Sequence, residues 1–128
     1  MNLSFRSLLV CMILVGAAPA APTLAQTQME LNQQAGDALR KSDQRLNAVY
    51  NKLRAKISDA GKQKLVAAQQ SWLRFRDQEC EFETMATVGG SIHSMVVAAC
   101  LARLTDQRIK DLEAQLNCQE GDVSCGGQ

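Results

Sequence analysis

The stretch "QQSWLRFRDQEC", Gln69 to Cys80, holds the chain's single Trp, two Arg and a Cys within one short segment. It reads either as the working part of an enzyme or as a helix that must be packed and stapled. No Pro or Gly interrupts it, and working outward from it Leu65, Ala68, Trp72, Phe75 and Phe82 recur on one helical face with Leu73 beside them. This predicts a helix from about Gly61 to Met85 whose apolar stripe faces a core. Glu79 falls on the same stripe. A carboxylate placed there needs a hydrogen-bonding or charged partner, and Arg103 and Arg108 are the candidates.

Upstream, Ala35, Leu39, Ser42, Leu46, Val49, Leu53 and Ile57 repeat at steps of three and four, the pattern of another amphipathic helix beginning near Gln28. The turn "SDAGK", Ser58 to Lys62, separates the two, with Ser58 or Asp59 able to cap the helix that carries Trp72. Downstream, "TVGGS", Thr87 to Ser91, is a loop, and Ser91 is placed to cap a third helix running from about Ile92 to Leu116. Pro is absent after Pro22, and Gly is rare before the C-terminal tail, so the punctuation of a β domain is missing. The expected fold class is all-α: an antiparallel three-helix bundle or hairpin with disulfide staples.

At the N-terminus Arg6 precedes the apolar run Ser7 to Ala18, which is too short for a permanent membrane span. With the small residues around Thr23-Leu24-Ala25 it reads as a signal peptide, residues 1–25, cleaved before Gln26. Val10 before Cys11 does not suit a lipid-attachment site, so a lipoprotein and a stable membrane anchor are not expected. The helical domain then covers 26–117 and a disulfide-closed tail 118–128, in the periplasm or secreted. Loss of Arg6 brings the 14 basic and 13 acidic residues of the full chain into balance, which argues against a nucleic-acid partner.

Four Cys remain after cleavage: Cys80, Cys100, Cys118 and Cys125. In an exported chain they read as two disulfides with three possible connectivities. Cys80 with Cys100 and Cys118 with Cys125 is favoured, the first tying two long helices side by side and the second closing the short tail "CQEGDVSC". Metal binding is disfavoured because no CxxC pair is present and His93 stands alone, and no cofactor motif is recognisable. An enzyme is not expected, since one His, no G-x-S-x-G and no interpretable carboxylate pair leave no nucleophile, base and orienting group to assemble. Charge is more informative. Arg40 to Lys64 is strongly basic, with only Asp43 and Asp59 against its Lys and Arg, whereas Asp77, Glu79, Glu81 and Glu83 straddle Cys80. Such runs serve as solvated or internally paired surface, or as an acidic patch that attracts a basic protein partner.

"LNAVYNKL" at Leu46 to Leu53, "AAQQSWLRFRDQEC" at Ala67 to Cys80, Gly89-Gly90, Cys100 and "RLTDQRIKDL" at Arg103 to Leu112 together resemble the LprI-type lysozyme-inhibitor family. The resemblance implies a small exported helical domain, and a function in binding and inhibiting lysozyme, the muramidase that cleaves peptidoglycan. Many members carry a Cys where "TQMELNQQAG" has Gln34, so a further disulfide to the first helix is excluded here and Cys118 is left to Cys125. It further implies that Trp72 and Phe75 fill the core and that Arg76 and Arg108 form interhelix ion pairs. Asp77, Glu81 and Glu83 would steer a basic lysozyme, and the loop with Gly89, Gly90, Ser91 and His93 would reach its cleft, whose catalytic pair is two carboxylates. The alternative is a non-catalytic cell-envelope adaptor that binds another bacterial protein through the basic stretch.

Overall fold

A computed structural model describes residues 27–119 and 121–125; the expected signal peptide lies outside them, as do 120 and 126–128 of the tail. Three helices succeed one another: α1 (Gln28–Lys56), α2 (Asp59–Thr84) and α3 (His93–Leu116), with a single 3-10 turn at Met85–Thr87. No strand occurs among the described residues, and none of their helices is long and apolar enough to cross a membrane.

The helix ends obey local chemistry. The Thr27 hydroxyl accepts from the Glu30 amide at 3.2 Å while the Glu30 carboxylate accepts from the Thr27 amide at 2.8 Å, a reciprocal capping box that satisfies two otherwise orphaned donors. Ser58 caps α2 by accepting from the Gly61 amide at 3.2 Å. The expected cap at Ser91 does not form: α3 begins at His93, its capping position is Ile92, and no side chain bonds there. Ile92 already has helical angles, so the chain enters α3 from a turn closed by backbone bonds, Gly90 N–H to the Thr87 carbonyl at 2.9 Å and His93 N–H to the Gly90 carbonyl at 3.1 Å. Gly89 holds a φ of 81°, the left-handed region that favours glycine, and so turns the chain back.

Contacts between α1 and α3 climb together along both helices. Asn32 donates to the Ser91 carbonyl at 3.1 Å, Ser42 to Asp106 at 2.8 Å, Arg45 to Glu113 at 2.9 Å and Lys56 to the Leu116 carbonyl at 2.8 Å. The two helices are therefore parallel, and α2 runs antiparallel between their ends. Leu46, Val49 and Leu53 of α1, with Ile57 just past its end, meet Ile109 and Leu112 of α3, and Tyr50, Leu65, Trp72 and Leu116 pack around them. Each of these six buried side chains contributes about 1.5–3 kcal/mol. The Cys80–Cys100 disulfide, with Cα atoms 5.7 Å apart, fastens α2 to α3. Cys118–Cys125 closes the tail.

On α2 the expected core face is corrected. Trp72 is half-buried against the core, but Phe75 is 52% exposed and Phe82 68% exposed. The interior side of α2 belongs instead to Arg76, Cys80 and Thr84, spaced one turn apart. Phe75, one residue from Arg76, is rotated away by about 100°.

Candidate protein-binding face

Arg76 explains why α2 turns this side inward. Its side chain is 13% exposed and its Nη1 donates to Asp43 of α1 at 3.1 Å and to Thr105 of α3 at 3.2 Å, so one guanidinium joins all three helices. Thr105 is fully buried. The guanidinium also lies 5.4 Å from the centroid of the Trp72 ring, within cation–π range. The expected ion pair of Arg76 is therefore present, but the one expected of Arg108 is not. Arg108 donates to the Gln69 amide oxygen at 3.1 Å and lies 5.9 Å from the Trp72 ring, and burial lowers its pKa while Asp111 opposes the shift.

Glu79 is half-buried, and neither proposed cation pairs with it. Arg103 instead holds Glu83, at 2.7 Å. The two lie 20 residues apart in sequence but adjacent across the disulfide, since Glu83 comes three residues after Cys80 and Arg103 three after Cys100. That symmetry could have been read from the sequence once the disulfide was assumed.

Of the acidic run, Asp77 pairs with Arg76 at 3.0 Å and Glu83 with Arg103, which leaves half-buried Glu79 and exposed Glu81 without an ion pair among the described residues. Asp77 and Glu81 line one side of a groove of about 400 Å³ between α2 and α3, with Cys80 and Thr84 beside them and Val88, His93, Val97 and Leu101 opposite. The disulfide forms part of its wall, so the separation of the two helices is covalently held there. The structure thus brings Asp77, Glu81 and His93 to one groove, while Glu83 lies outside its lining and Gly89, Gly90 and Ser91 form the exposed loop above it.

The tautomer of His93 is set by its neighbours. The single Thr87 hydroxyl proton goes to the Thr84 carbonyl at 2.7 Å, so at the 2.9 Å contact between Thr87 Oγ1 and His93 Nδ1 the ring nitrogen is the donor. Thr87 is therefore not a hydroxyl activated by His93. His93 serves to brace the loop, and its other nitrogen, Nε2, is the acceptor in the neutral ring. Cys118, Asp122 and Cys125 cluster in the tail, but the two sulfurs are spent in a disulfide and offer no thiolate to a metal.

A second, larger cavity of about 620 Å³ was not anticipated from the sequence. It lies at the opposite end of the molecule, where Leu53 and Ile57, Ala60, Gly61, Lys64, Leu65 and Ala68 of the α2 start, and Arg108, Asp111, Leu112 and Gln115 of α3 converge. Its wall is drawn from three helices, and no contiguous motif announces it.

A family model described as Lysozyme inhibitor LprI matches residues 19–112. An uncharacterized protein of Rhizobium meliloti (strain 1021) is 31% identical over 109 residues, covering 75% of this chain and 78% of the relative. No solved structure matches the chain.

Proposed function

Because the chain belongs to the lysozyme inhibitor LprI family, we propose that it is an exported, non-catalytic protein that binds lysozyme and blocks its attack on peptidoglycan. The observation that carries the binding face is Glu81: an exposed carboxylate with no internal partner among the described residues, on a groove whose width is held by the Cys80–Cys100 disulfide. An unpaired charge on a rigid rim attracts an oppositely charged protein without first breaking an existing ion pair. Asp77 and Glu83 carry their Arg partners with them and add less to the local field than their number suggests. The loop at Gly89, Gly90 and Ser91, braced by His93, supplies exposed polar backbone beside the groove.

The envelope-adaptor alternative keeps half of its basic stretch: Arg40, Arg45, Lys56 and Lys62 are engaged with Asp37, Glu113, the Leu116 carbonyl and Asp59, which leaves Lys41, Lys52, Arg54 and Lys64 exposed and without an ion pair among the described residues. The test is lysis of bacterial cell walls by an animal-type lysozyme with the oxidised protein titrated in. Inhibition is expected, weakened at low salt by Glu81→Lys more than by Asp77→Lys or Glu83→Lys. Lysis that proceeds unchanged at high micromolar inhibitor refutes the reading. Equal effects of the three reversals refute the assignment to Glu81.

A further inference from the structure

The groove at the start of α2 and the aromatic residues near its end share one heptad column: Gly61, Ala68, Phe75 and Phe82 recur at intervals of seven. The first two line the larger cavity, and the last two project uncovered, at 52% and 68% exposure. Residues seven apart sit almost above one another on a helix, so small and large side chains form two halves of the same α2 face. Lys64 lines the cavity half, and Glu79 stands between the two Phe. No ion pair occupies either of them among the described residues.

We propose that this face binds a second copy of the chain through an antiparallel α2–α2 contact about a two-fold axis passing between Ser71 and Trp72. A two-fold contact requires that if one residue meets another, the reverse contact forms as well. A single register satisfies this for every feature of the face. It sets Phe82 of the second copy at Gly61, Phe75 of the second copy at Ala68, and Glu79 of the second copy at Lys64, each with its symmetry mate. Large side chains meet small ones, as knobs meet holes, and the charges are opposed in sign. The second copy's Phe82 would sit at the mouth of the cavity, against Ala60, Lys64 and Leu65, with the buried Gly61 beneath it. A dimer also covers an aromatic stripe that otherwise remains in water at a cost proportional to its area.

The acidic groove stays free in this arrangement. Asp77, Glu81 and Thr84 lie about a third to a half of a turn around α2 from Phe75 and Phe82. Dimerisation and lysozyme binding are therefore separable, and the proposal does not rest on the inhibitor reading.

The experiment is sedimentation velocity of the oxidised protein from low micromolar to sub-millimolar concentration, with circular dichroism and non-reduced mass to verify the fold of each variant. A reversible monomer–dimer equilibrium is expected. Phe82→Glu, Lys64→Glu and Glu79→Lys should each weaken it by at least about tenfold, and Lys64→Glu combined with Glu79→Lys should recover most of the loss, as opposed charges exchanged in place do. Lys64→Glu should leave lysozyme inhibition unchanged. A monomer at every concentration overturns the proposal, as would a small amphiphile found to occupy the cavity in a protein that never dimerises. A dimer indifferent to all three substitutions, or a charge exchange no better than its single components, also overturns it.

Discussion

Replacing Arg76 by Ala should be among the most damaging changes to a charged residue of this protein. The side chain is 13% exposed and bonds to Asp43 and Thr105 on two different helices. Losing a hydrogen bond to a charged partner costs about 1.5–3 kcal/mol, and orphaning the buried Thr105 hydroxyl adds about 1–3 kcal/mol. The contact with exposed Asp77 adds little. Because these terms overlap, about 3 kcal/mol in total is the expected loss, a large share of the roughly 5–15 kcal/mol typical of whole domains. For a domain near a hundred residues this lowers Tm by roughly 12–24 °C. Urea unfolding tracked by circular dichroism measures it, with Arg45→Ala as the control. Arg45 also pairs across helices, with Glu113 at 2.9 Å, but its side chain is 59% exposed, and about 0.5 kcal/mol is expected. A cycle with Asp43→Ala should give a coupling above about 1 kcal/mol. If Arg76→Ala costs no more than Arg45→Ala, Arg76 is not the joint of the three helices.

Removing Cys80–Cys100 by paired Ser substitution should cost about 3 kcal/mol of global stability, whereas removing Cys118–Cys125 should hardly move the cooperative transition, because it closes an exposed tail outside the core; denaturant midpoints distinguish the two. Ile109→Ala, at a site with 0% exposure, should cost about 2–5 kcal/mol, while Phe75→Ser in the dilute monomer should stay within about 0.5 kcal/mol, and comparable losses would contradict the orientation of α2. Asp59 has its pKa lowered by its hydrogen bond and charge interaction with Lys62. A carboxyl with a depressed folded pKa adds stability above its unfolded pKa and loses it as pH falls through the folded one. A small acid-limb decrease that disappears in Lys62→Met is therefore expected, and a loss on the alkaline side would contradict it.

Helix spans, the cap at Ser58 and the two cysteine pairs were legible because each depends on residues near in sequence or on a very small number of combinations. Even the interhelix ion pair of Arg76 could be expected as a type of contact, although its acceptors on α1 and α3 could not be named. Of the apolar stripe expected on α2, Leu65 and Trp72 pack against the core and Phe75 and Phe82 do not. Periodicity, however, is measured about one helix axis and does not say which way that axis is turned toward its neighbours. The disulfide at Cys80 and the guanidinium of Arg76 settle the turn, and they carry Phe75 and Phe82 outward. The same rotation gives Arg103 to Glu83 in place of Glu79 and sets Arg108 beside Trp72, where no interhelix ion pair forms among the described residues. Local order is dictated by nearest neighbours along the chain, but the relative rotation of packed helices is decided by contacts far apart in sequence, and these exist only once the bundle has closed.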